Sequence, residues 1–222
     1  MPTLRQGSAG RGAARKRPKR TGAQLDLWSG PAPGGRPDLL PTKALVRHAS
    51  CARLLDRVRH VRAFFPELDG ASLKVGLTRA AAGFASREER YIWINPHRLT
   101  LHTIAHELTH LLQNEGHVPG GEKAADLFAL ARHSILVDDL PCYLRSPRSL
   151  KHAWLTRRAD VCRLLHRTAR DAVAARASGV RTYLVWFETE LEARWERERF
   201  VDAAPEAASQ ETLFGARVSS DA

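Results

Sequence analysis

Five residues carry the chemistry that the rest of the chain must position: His106-Glu107-Leu108-Thr109-His110. On a helix, residues four apart share a face, so His106 and His110 can aim two imidazoles at one ion. Zinc suits this spacing, at about 2.0–2.1 Å from each nitrogen. Glu107 is displaced by about 100° around the helix axis, so it flanks such an ion rather than ligating it. From there it can take a proton from a zinc-bound water, whose pKa falls to about 7. Leu101, Ile104, Leu108, Leu111 and Leu112 fall on the opposite side of the same helix. One face is therefore suited to a core and the other to a cleft. An ordinary amphipathic helix with two surface histidines carries the same letters, and its surroundings separate the two.

A catalytic zinc takes three protein ligands and keeps one position open. The best third candidate is Glu122, far enough beyond His110 for the chain to turn and lay a second helix beside the first. Asp126 follows it by one helical turn, on the same face. A carboxylate there can accept the free N–H of a metal-bound imidazole and so orient it. An acid facing the helix dipole is the other role open to Glu122. His117 and Asp126 remain alternative third ligands.

The elements that must hold these residues follow from pattern. Leu45, Ala49, Ala52, Leu55, Val58 and Val61 recur three and four apart, so residues 42–65 read as a helix closed by Pro66 and Gly70. Leu73, Val75 and Leu77 alternate through a half-buried strand over 72–78. Gly83 and the charged run 86–90 suggest a turn, and Tyr91–Ile94 a second strand halted by Asn95-Pro96. Asn95 is placed to cap the metal helix, with Pro96 in its first turn. That helix ends near Gly116. A second opens at Gly120–Glu122 and runs to about His133, followed by a loop over 138–148. Helices over 149–178 and 180–200 complete the body, with Gly179 between them.

His106-Glu107-x-x-His110 with Glu122-x-x-x-Asp126 resembles the gluzincin class of zincin metallopeptidases. In that class a Glu on a downstream helix is the third ligand, and the Asp four residues later orients the first His. The short loop between the two helices is more similar to the compact ImmA/IrrE-like peptidases, and the resemblance covers residues 72–133. SprT-like proteases share the compact size, but their third ligand is a His, and neither His117 nor His133 has a comfortable spacing. In zincins the strand over the active-site helix holds extended substrate, so the resemblance makes Tyr91–Ile94 a substrate-binding edge. It implies a Zn2+-dependent endopeptidase with Glu107 as general base and a protein substrate. Tyr143 or a histidine is an open choice for a further donor to the reacting carbonyl.

The chain has 222 residues and a formal charge of +11. That length suits one domain with a sizeable core. There is no apolar run long enough to span a membrane and no secretory signal pattern, and Cys51, Cys142 and Cys162 form no paired motif. These features imply a cytoplasmic protein with reduced, packed thiols. Residues 1–41 are rich in Gly, Pro, Ala and Arg and read as a disordered arm. Its seven bases between Arg5 and Arg20, with no acid among them, favour a nucleic-acid partner or simply a solvated tail. Within the arm, Gln24-Leu25-Asp26-Leu27-Trp28 resembles the pentapeptide that docks bacterial replication and repair proteins on the sliding clamp. Gln210–Phe214 matches a looser form of it.

The expectation is one α+β domain, helix-rich with a small sheet, over residues 42–201, followed by a flexible tail over 202–222. The competing class is a DNA- or clamp-associated adaptor in which the metal site is structural or inactive.

Overall fold

The structure is a computed structural model. It describes residues 39–86 and 88–214, and side chains as far as Glu198. A four-stranded sheet carries one layer, built from β1 (Leu39–Pro41), β2 (Leu73–Leu77), β3 (Gly83–Ala85) and β4 (Tyr91–Ile94). Seven helices supply the rest: α1 (Lys43–Val46), α2 (Cys51–Arg62), α3 (Leu101–Asn114), α4 (Glu122–Arg132), α5 (Arg148–Thr156), α6 (Arg158–Ala177) and α7 (Tyr183–Phe214). The fold is α+β and helix-rich, as its pattern requires.

Sheet order is β1-β2-β4-β3. The pairs β1–β2 and β2–β4 are parallel, and β3 runs antiparallel to β4. The inward residues Val75, Ile92 and Ile94 are fully buried against the helices. α3 contributes Ile104, Leu108 and Leu112 to the same core, and α4 adds Leu127 and Phe128. The helical layer continues through α6 and α7, where Leu164, Leu165, Phe187 and Trp195 are buried.

Several local expectations are corrected. Leu39–Pro41 belong to the sheet, so the folded body starts inside the stretch read as a disordered arm. The single helix over 42–65 is two. Thr42 caps α1, and at the break His48 Nδ1 accepts the Ser50 amide at 3.2 Å, a local side-chain bond that competes with helix continuation. Gly83 sits in a strand rather than a turn, and that strand, not β4, forms the sheet's edge beside α3. Tyr91–Ile94 lies between β2 and β3 and cannot be the substrate edge. Asn95 does not cap α3: its Oδ1 accepts the His97 amide in a local turn. Thr100 is the cap, accepting from the Thr103 amide. The helix over 149–178 is interrupted at Arg157, which leaves helical geometry, giving α5 and α6. α7 runs to Phe214, through most of the stretch read as a flexible tail. Cys142 is exposed rather than packed.

Arg132, at the end of α4, is buried, and its Nη1 donates to Glu67 Oε2 at 3.0 Å. Its guanidinium also lies 4.5 Å from the Phe65 ring centre. Burial alone pulls an arginine's pKa down; the Glu67 carboxylate opposes that pull. No described helix is long and apolar enough to cross a membrane.

Candidate metal centre

α3 is positioned by capping from a distance. Asp138 accepts the Leu101 and His102 amides, each at 2.8 Å, so two orphan donors at the helix start are satisfied by a residue more than thirty positions downstream. Apolar side chains press the helix onto the sheet and α4. Its other face turns His106, Glu107 and His110 into a cleft of about 610 Å³, lined also by Gly83, Glu122 and Tyr143.

The short loop after α3 lets α4 lie beside it. Glu122, the first residue of α4, then reaches both histidines. Glu122 Oε2 lies 3.1 Å from His106 Nε2 and 3.2 Å from His110 Nε2, and the two ring nitrogens are 3.1 Å apart. Among the described residues, His106, His110 and Glu122 form the group that could hold a metal ion. Tetrahedral ligand atoms about 2.1 Å from one zinc stand about 3.4 Å from each other, so the spacing fits.

The hydrogen bonds behind these atoms carry the same message. Gln113 Nε2 donates to the Gly121 carbonyl at 3.0 Å, which can only accept, so the Gln113 oxygen faces His110 Nδ1 at 2.8 Å. His110 Nδ1 must therefore carry a proton. His106 Nδ1 faces Asp126 Oδ1 at 2.8 Å and carries one too. In the neutral rings both Nε2 atoms are then bare acceptors. Two lone pairs and a carboxylate oxygen converge with no donor between them, an arrangement that a cation satisfies.

Asp126 is buried and multiply held. Its Oδ2 accepts the Tyr143 amide at 2.7 Å, and His102 Nε2 lies 3.4 Å from Oδ1. Burial pushes the Asp126 carboxyl up, but the hydrogen bonds and charges of His102 and His106 outweigh it and hold the group well below the usual carboxylate range. Burial works in the other direction on His106, whose pKa Asp126 nevertheless holds above its ordinary value.

Glu107 is 5% exposed and makes no ligand contact with the group. Burial, and secondarily the Glu122 charge, push its carboxyl up to about 7 against the pull of His106. A cation beside it would favour the ionised form. A Cβ on Gly83 would stand 2.7 Å from Glu107 Cγ and Oε1, so glycine on β3 leaves room for this side chain.

The structure thus brings together His106, Glu107, His110, Glu122 and Asp126. His117 is not part of the group; it pairs with Glu115 at 3.4 Å. His133 stacks near Phe64 and accepts the Ile135 amide. Gln24, Leu25, Leu27 and Trp28 lie outside the described residues, and Gln210–Phe214 falls in α7 beyond the described side chains. Sequence reasoning missed Gln113 and also His102, which is buried against Asp126. Gln113 stands three residues after His110, a helical-neighbour spacing that could have flagged it. Tyr143 stacks on the His106 ring with centroids 5.7 Å apart. Comparison of the chain with family models, with curated proteins and with solved structures finds no match.

Proposed function

We propose that this chain is a zinc-dependent peptidase of the gluzincin type, with His106, His110 and Glu122 holding the ion. One observation carries the reading: three acceptor atoms converge on one point while Asp126 and Gln113 lock both imidazoles in the ligating tautomer. The carboxylate third donor favours the gluzincin pattern over the SprT-like pattern, which needs a histidine there.

A bound zinc supplies Lewis acidity, making a water more acidic and polarising a carbonyl oxygen. Glu107 is placed to take the proton from a water in the cleft and return it to the departing amine. Tyr143, half-exposed at the cleft wall, is the candidate donor to the oxygen of the reacting carbonyl. β3 supports a peptide substrate, because among the described residues no strand pairs with its outer edge and it lines the cleft. An extended chain can pair with such an edge through backbone hydrogen bonds.

The test measures metal and activity together. Purified protein should hold about one zinc per chain, and His106→Ala, His110→Ala and Glu122→Ala should each lose it. Glu107→Gln should keep the zinc and abolish cleavage of unfolded casein, since only proton transfer is removed. Unchanged metal content in the histidine variants, or full activity in Glu107→Gln, would end this reading.

A further inference from the structure

α3 carries a third histidine on the stripe of its two candidate ligands. His102 stands one helical turn before His106, as His106 stands one turn before His110. His102 is nevertheless outside the group that could hold the ion. Its side chain is 6% exposed, and its ring centre lies 6.5 Å from that of His106. Both ring nitrogens are buried, and neither makes a full hydrogen bond. An aliphatic side chain would fill this space without two polar atoms to desolvate, so packing alone does not account for a histidine here.

What the ring faces is Asp126: His102 Nε2 lies 3.4 Å from Asp126 Oδ1. That same oxygen lies 2.8 Å from His106 Nδ1, and Asp126 Oδ2 accepts the Tyr143 amide at 2.7 Å. An ionised carboxylate only accepts, so the His102 nitrogen turned toward it carries the proton. At 3.4 Å the contact is longer than an ordinary hydrogen bond and acts as an oriented N–H dipole, which counts for more in a buried setting than in water. One carboxylate is thus surrounded by two imidazoles of α3 and one loop amide. The loop that supplies the Tyr143 amide begins at Asp138, whose Oδ1 accepts the His102 amide at 2.8 Å. The backbone of His102 and the far oxygen of Asp126 are therefore held by the same loop.

We propose that His102 is a positioning residue for the metal centre, acting through Asp126 to keep Oδ1 on His106 Nδ1. His102 touches neither the ion's position nor a substrate. Its N–H gives Oδ1 a second donor, and the carboxylate so fixed holds His106 in the tautomer that leaves Nε2 bare. This inference deepens the proposed function and rests on His106, His110 and Glu122 binding zinc.

The experiment measures zinc affinity of the full-length protein by competition with a chromophoric chelator. His102→Leu removes both nitrogens and should weaken zinc binding about tenfold, at the low end for a lost orienting partner. His102→Phe is the second variant, in case the first fails to fold; circular dichroism identifies a folded protein. His102→Gln, which keeps an N–H donor, should retain most of the parent affinity. In an Asp126→Ala background, His102→Leu should cost little further affinity, because the group through which it acts is gone. Equal losses in the two backgrounds, or a Gln variant as weak as the Leu variant, would overturn the proposal and leave His102 as a packing residue. Parent-like affinity in folded His102→Leu would overturn it alone, with the metal reading intact. A parent protein that binds no zinc would overturn both.

Discussion

Asp126 and His106 meet across two helices, Oδ1 to Nδ1 at 2.8 Å, and this contact decides which nitrogen of His106 faces the cleft. With Nδ1–H committed to the carboxylate, Nε2 is left as the ligating lone pair. Asp126 is itself fixed by the Tyr143 amide at 2.7 Å, so the loop before α5 is tied to the back of the metal group.

Asp126→Asn should therefore weaken metal affinity by roughly 10–100-fold without abolishing it. Competition of the loaded protein against a chromophoric chelator measures this. Glu122→Ala should lose more than Asp126→Asn; the opposite order would exchange their roles.

Gln113 performs the matching service for His110 and also holds the Gly121 carbonyl at the entry to α4. Gln113→Ala should lower zinc affinity by about tenfold, because a ring orienter is lost. The same chelator competition reads it. Unchanged affinity would show that His110 is oriented by packing alone.

Gly83 is the position where one added methyl should separate metal binding from catalysis. The Cβ of Gly83→Ala would press on Glu107 and displace its carboxylate. Zinc content should stay near that of the parent, while casein cleavage falls at least about tenfold, as expected when a proton-transfer group is moved. Parent-like activity in a zinc-loaded Gly83→Ala protein would mean that Glu107 moves without consequence.

The Glu67–Arg132 pair makes a stability prediction far from the chemistry. Glu67→Ala leaves a buried guanidinium without its carboxylate, a loss of about 3–5 kcal/mol. Urea unfolding of the zinc-loaded protein should show the loss as a lower midpoint at an unchanged slope. A cost under about 1 kcal/mol would mean that Arg132 is satisfied by its other contacts. Those are the Phe64 carbonyl at 3.5 Å and the Phe65 ring.

Helix geometry is local, and what depends on it was legible in the sequence. The i,i+4 spacing of His106 and His110, and of Glu122 and Asp126, fixes which side chains share a face before any tertiary contact forms. The short loop between the two helices makes their meeting close to obligatory. The leucine stripe of α3 likewise announced which side would be buried, residues 73–77 announced themselves by alternation, and 91–94 by a short aromatic and β-branched run halted at Asn95-Pro96.

Only the tertiary structure decided the rest, because strand pairing, long-range caps and buried polar partners join residues with no fixed spacing. Gly83–Ala85 is three residues long, too short to show a period, and becomes a strand by pairing with β4. That pairing moves the sheet's free edge from Tyr91–Ile94 to the cleft side. Thr100, not the expected Asn95, caps α3, and Asp138 satisfies two further amides at its start from more than thirty residues away. His102 looks like a surface residue in the sequence and is buried because Asp126, on another helix, comes within 3.4 Å of it. The sequence determined which donors could form a metal group; the packing of α4 against α3 decided that their lone pairs converge.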